Sequence, residues 1–62
     1  MEKHEIIARL KRKYPDAVKI EQDEFKNWSV MLSDLDGWLE TYHTFAVRGT
    51  KFVFLGTTTC EY

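Results

Sequence analysis

Two pairs of turn residues divide the second half of the chain into alternating segments, and their spacing constrains the fold more than any other feature. Asp36-Gly37 best tolerates the positive φ angles of a type I′ hairpin turn, and Gly49-Thr50 suits a type II′ turn. Apolar and polar residues alternate on both sides of each turn, which is the period of a strand with one buried face. The sequence therefore predicts an antiparallel meander with strands over Trp28–Ser33, Trp38–Val47 and Phe52–Cys60.

The two-residue turns also predict the register, because a slip of one residue would exchange the two faces of the sheet. They place Val30 opposite His43, Phe45 opposite Phe54, and Val47 opposite Phe52. One face then holds most of the large apolar side chains and is the expected core face. Its members are Trp28, Val30, Leu32, Leu39, Thr41, His43, Phe45, Val47, Phe52, Phe54, Gly56 and Cys60.

The amino-terminal segment has the period of an amphipathic helix. Its apolar positions lie within an arc of about 100° on a helical wheel, and Pro15 ends the segment. These positions are Ile6, Ile7, Leu10 and Tyr14. A short strand is expected around Val18–Ile20, with its place in the sheet left open. Residues 1–62 are thus predicted to form one α+β domain, an N-terminal helix on one face of a three- or four-stranded antiparallel meander (α-β-β-β-β).

Composition narrows the range of partners and compartments. Nine basic and ten acidic residues give a net charge of −1, so no global electrostatic attraction favours nucleic acid or anionic lipid. A lone cysteine, Cys60, cannot form an internal disulfide, which favours a reducing compartment such as the cytoplasm. The sequence shows neither an export signal nor the run of about 18 apolar residues that spans a membrane.

A single helix can cover only one side of a small sheet, so we expect the other face to stay open. The candidate partner-binding residues are its larger apolar members, namely Met31, Trp38, Tyr42, Val53 and Leu55. Tyr, Trp and Met are enriched where proteins meet, although scattered apolar side chains also occur on ordinary surfaces. We therefore expect a noncatalytic interaction or regulatory domain that self-associates or docks on a protein partner.

Each residue that could have a catalytic or metal-binding role also has a structural explanation. His43 is expected opposite Gly56 on the core face, bonded to backbone or to a hydroxyl such as Thr41. Cys60 is expected opposite Leu39, without a histidine to activate it. Asp34–Gly37 resembles the middle of a calcium loop but lacks the acidic ligands at both ends. We therefore expect no catalytic residue, no metal site and no cofactor.

A weak nucleic-acid binder is the alternative function. Its basic residues would come from the helix, and they are Arg9, Lys11, Arg12 and Lys13. Exposed aromatic rings at Trp38 and Tyr42 could stack on bases. However, the basic side of the helix is expected to lie opposite the open sheet face, so the two features would not meet on one surface.

Overall fold

A computed structural model describes residues 1–33 and 37–61 and confirms the predicted α-β-β-β-β architecture. The sheet is antiparallel, with strand order β1-β2-β3-β4, so the short first strand lies at an edge beside β2. The elements are α1 (Lys3–Lys13), β1 (Lys19–Gln22), β2 (Trp28–Ser33), β3 (Leu39–Arg48) and β4 (Lys51–Glu61). No helix in the described ranges is long and apolar enough to cross a membrane.

Helix α1 is attached to the sheet by two buried side chains, Ile6 and Leu10. Glu2 lies at the N-cap position without a side-chain cap, and the basic last turn suits the helix dipole. The helix ends before Pro15, where the backbone amide of Tyr14 donates to the carbonyl of Leu10. Ile7, which the helical period placed on the buried stripe, lies at its margin and is exposed.

The core lies between α1 and the first three strands. Ile6 and Leu10 pack against Trp28, Val30 and Phe45, and Ala17 completes the buried cluster. Val30 and Phe45 occupy neighbouring strands on the face that the alternation predicted. A core of this size can stabilise the domain only if the large rings are almost completely removed from water.

The hairpin between β1 and β2 is closed by one aspartate. The Asp23 carboxylate accepts hydrogen bonds from the backbone amides of Phe25 and Asn27, at 2.8 and 2.9 Å. Lys26 adopts a φ of 64°, in the left-handed region that favours glycine. The Asp23 side chain therefore holds the polar segment between the two strands in a turn.

The register that the turns predicted is correct from β2 through the first part of β4. Val30 pairs with His43, Phe45 with Phe54, and Val47 with Phe52. Gly49 has a φ of 64°, as the first central position of a type II′ turn requires. The predicted turn residue Asp36 lies outside the described residues, and Gly37 has a φ of 74°.

A β-bulge changes the register in the second half of β4. Thr44 pairs with Gly56 while Phe45 pairs with Phe54, so Leu55 has no opposite residue on β3. An extra residue in one strand reverses the alternation beyond it. The prediction for Gly56 and Cys60 was therefore wrong, because they lie on the face away from α1. Thr57 and Thr59 take their places on the helix side.

We expect Trp28→Ala to lower the free energy of unfolding by about 3–5 kcal/mol, because it removes a large ring that is buried in the core. Phe25→Ala is the matched control, since Phe25 is 76% exposed in the β1–β2 hairpin. Urea unfolding followed by far-ultraviolet circular dichroism measures both changes. Equal costs for the two variants would contradict the packing of Trp28.

Candidate functional site on the open sheet face

The face of the sheet away from α1, here called the open face, is organised in rows across the four strands. One row runs from Lys19 through Met31 and Tyr42 to Thr58. The next row, nearer the Leu39 end of β3, pairs Glu40 with Ser33 and with Cys60. Side chains alternate between the two faces of a strand, so these residues point away from the face that holds the buried Val30. The open face that they form presents a mixture of polar and apolar groups.

The five predicted partner-binding residues are distributed over four places. Met31 and Tyr42 are paired neighbours and are half-buried. Val53 lies beside Ala46, one row beyond Thr44, and is 44% exposed. Trp38 precedes β3 and is 66% exposed. The expected contiguity of Met31, Tyr42 and Leu55 is not observed in the register.

The bulge explains why Leu55 is separated from the row of Met31 and Tyr42. Regular pairing would have placed Leu55 opposite Thr44, which lies diagonally next to Tyr42. In the structure Gly56 occupies that position, and Leu55 is 52% exposed at the bulge itself. The apolar part of the open face is therefore concentrated around the first half of β4.

A buried carboxylate, Glu40, lies on the open face beside the predicted residue Tyr42 and was not among the predicted site residues. Glu40 is buried, and the phenolic hydroxyl of Tyr42 donates a hydrogen bond to its Oε2. The two residues are two positions apart on β3 and so share one face. The signal in the sequence that could have indicated the pair was an acidic residue followed two positions later by a tyrosine in a strand.

The same pair changes the acidity of the tyrosine. The hydrogen bond to Glu40, with lesser contributions from burial and from the negative charge of Glu40, raises the pKa of Tyr42 to about 12. Loss of the phenolic proton would remove the hydrogen bond and place two negative charges side by side. Tyr42 therefore acts at neutral pH as a hydrogen-bond donor and not as a base.

Charged side chains of β1 border this row. Lys19 forms an ion pair with Glu21, and the hydrogen bond to that carboxylate is the main cause that raises the pKa of Lys19. Glu40 contributes a smaller attraction in the same direction. The β1 side of the open face is thus charged, while Val53 and Leu55 lie on the first half of β4.

His43 lies on the helix side, where its ring stacks on Tyr14 with centroids 5.2 Å apart. Its Nδ1 is 2.9 Å from Oγ1 of Thr57. A hydroxyl partner was expected, but the bulge supplies Thr57 in place of Thr41, and Gly56 is not opposite the ring. These contacts of His43 join the end of α1 to β3 and β4, so they are structural.

Cys60 is exposed and lies beside Glu40, not beside Leu39 as the regular register implied. Within the ranges 1–33 and 37–61, no three His, Cys, Asp or Glu residues are grouped so that they could hold a metal ion. The segment that resembled a calcium loop, Asp34–Gly37, lies largely outside the described residues.

Basic residues of α1 hold the helix on the domain. Arg9 lies 3.5 Å from the Glu5 carboxylate and donates to the carbonyl of Thr50 at 3.2 Å. Lys11 donates to the carbonyl of Ala17 at 2.9 Å, and the Lys13 ammonium lies 5.2 Å from the centre of the Phe45 ring. Three of the four residues proposed for nucleic-acid binding therefore have intramolecular contacts.

Comparison of the chain with protein-family models, with curated proteins and with solved structures found no match. The geometry of the open face is therefore the basis for a functional proposal.

We expect Tyr42→Phe to unfold at lower urea concentration than the wild type at pH 7, since Glu40 loses its phenolic donor. A raised pKa stabilises the folded state below the unfolded value near 10, and this contribution is lost as the pH rises through about 12. The stability of Tyr42→Phe should therefore fall less than that of the wild type between pH 9 and pH 11.5 (about the range in which a free tyrosine begins to ionise).

The matched control is Tyr14→Phe, which retains the ring that stacks on His43. It should lose stability with rising pH as steeply as the wild type does. A steep loss that persists in Tyr42→Phe would show that the Glu40–Tyr42 pair does not govern the alkaline transition.

Proposed function

We propose that the protein is a noncatalytic interaction or regulatory domain that binds a protein surface through the open face of its sheet. The observation that carries the proposal is the exposure of large apolar side chains beside this face, at Trp38, Val53 and Leu55. Large apolar side chains that are exposed to water cost free energy, and a protein partner removes them from water. The lone cysteine supports a reducing compartment such as the cytoplasm as the place of action.

The polar groups of the open face would give such docking its specificity. The Glu40–Tyr42 pair and the Lys19–Glu21 ion pair present hydrogen-bonding groups in a defined geometry next to the apolar side chains. Interfaces commonly combine an apolar centre with a polar rim in this way. An incoming surface would have to bury apolar groups at β4 and satisfy charged groups at β1.

The alternative, weak binding of nucleic acid by the basic residues of α1, is supported less well. Arg9, Lys11 and Lys13 already contact groups of the same chain. Binding to phosphates would have to compete with these contacts. The exposed Trp38 belongs to the segment that leads into β3 and is not on the helix.

Affinity capture with the tagged domain tests the proposal when it is combined with matched charge variants. We expect Val53→Glu and Trp38→Glu to lose a protein that the wild type captures in stoichiometric amount, because each places a charge at an exposed apolar position. Val18→Glu is the control. Val18 is exposed just before β1, and because it precedes the open-face residue Lys19 by one position it is not itself an open-face residue. The captured protein is then purified and titrated against all four forms by calorimetry.

Salt dependence separates protein docking from phosphate binding. Affinity for the protein partner should change by about twofold or less between 50 and 500 mM salt, whereas binding of a labelled oligonucleotide would fall by about 10³-fold or more for several phosphate contacts. Equal capture by Val53→Glu, Trp38→Glu and Val18→Glu would refute the open face as the binding surface. Tight oligonucleotide binding that is lost in Arg12→Glu would favour the alternative.

A further inference from the structure

The outer edge of β4 is the longer of the two sheet edges in the described part of the chain. β4 has 11 residues and pairs with β3 on one side, and the sheet ends there. The other edge strand, β1, has four residues and carries the Lys19–Glu21 ion pair. Short length and charge are the usual means of protecting a strand edge, and β1 has both.

β4 lacks these protective features over most of its length. Between Lys51 and Glu61 it contains no charged residue and no proline, and Phe, Val and Thr favour the strand conformation. Backbone amide and carbonyl groups on the outer side of an edge strand can pair with a further strand. The bulge at Leu55 divides β4 into two regular segments, Lys51–Phe54 and Gly56–Glu61.

We propose that β4 pairs in antiparallel orientation with β4 of a second copy of this chain. The two four-stranded sheets would then form one eight-stranded sheet, with a two-fold axis close to the bulge at Leu55. This pairing uses the strand edge and does not depend on the open face as a docking surface. It would instead bring the open faces of two copies side by side.

Charge favours the antiparallel orientation of a second copy over a parallel one. Lys51 lies at one end of β4, and the residues from Phe52 to Cys60 are uncharged. A parallel arrangement would bring the Lys51 side chains of the two copies together on one face. In the antiparallel register Lys51 of each copy lies beside the uncharged Cys60 of the other, since both residues are on the open face.

The bulge indicates an identical partner. It reverses the alternation midway along β4, so that Phe54 and Thr57 both lie on the helix side. When Lys51–Phe54 of one copy lies beside Thr57–Cys60 of the other, Phe54 can face Thr57 of the second copy with the faces preserved. Beyond Leu55, a regular partner strand would direct its side chains to the opposite faces from those of β4. A strand with the same bulge reverses its faces at the same point.

The pairing would also cover apolar surface that α1 leaves exposed. Phe54 points to the helix side, contacts Phe45 edge to face, and is still 56% exposed. Phe52 lies next to it on the same side. A neighbouring strand at the β4 edge would remove part of both rings from water, which adds a hydrophobic contribution to the backbone hydrogen bonds.

Charge changes at Cys60 and Lys51 test the proposal. Sedimentation equilibrium and light scattering over a concentration series should show the wild type approaching twice its monomer mass of 7.4 kDa. Cys60→Lys should weaken dimerisation by roughly tenfold, because the two-fold axis places a second ammonium beside Lys51 at both ends of the pairing. The double variant Lys51→Glu/Cys60→Lys should recover the wild-type affinity, and the matched control Cys60→Ser should dimerise as the wild type does.

Backbone pairing has its own signature. Hydrogen exchange at the amides of residues 57–60 should slow as protein concentration rises, and circular dichroism should show that all variants remain folded. Trp38→Glu should dimerise as the wild type does, so that loss of the dimer and loss of partner docking are separate results. A wild type that stays monomeric up to roughly 1 mM, or a dimer that is as stable in Cys60→Lys as in Cys60→Ser, would overturn the proposal.

Discussion

The packing of Ile6 and Leu10 onto Trp28, Val30 and Phe45 is the contact on which the rest of the structure depends. A chain of 62 residues can bury little surface, so most of its hydrophobic stabilisation comes from this one cluster. One helix of 11 residues covers one side of the first three strands and only part of β4, where Phe52 packs against the cluster and Phe54 is largely exposed. The open face and the helix side of β4 remain exposed as a direct consequence.

The bulge at Leu55 determines which groups occupy those exposed surfaces. It brings Thr57 to His43 and places Cys60 next to Glu40, and both contacts would be absent from a regular hairpin. It also separates Leu55 from the row of Met31 and Tyr42. The open face is consequently polar near Glu40 and Tyr42 and apolar near Val53, which gives a partner two different regions to recognise.

The β3–β4 hairpin therefore joins the two proposed interaction surfaces. Its first half contributes Val53 to the open face and Phe54 to the helix side, and its edge is free of charge between Lys51 and Glu61. Docking on the open face and pairing at the edge use different groups of the same strand. A dimer formed at the edge would leave the row of Met31 and Tyr42 uncovered in both copies.

The amino-acid sequence determined the architecture, because local signals control it. The helical period before Pro15, the alternation in each strand, and the turn at Gly49 lead to the same meander, and a two-residue turn restricts the pairs next to it. The core residues Trp28, Val30 and Phe45 followed from that register. The five open-face candidates followed as well, although the sequence could not say how closely they cluster.

Only the tertiary structure decided the bulge and the groups that depend on it. One extra residue in β4 costs little locally and leaves the apolar pattern of Phe52 and Phe54 unchanged, so the alternation does not reveal it. The contact of His43 with Thr57 and the burial of Glu40 follow from where distant strands meet. Such pairings depend on the cumulative geometry of the sheet, whereas a strand or a turn depends on a few neighbouring residues.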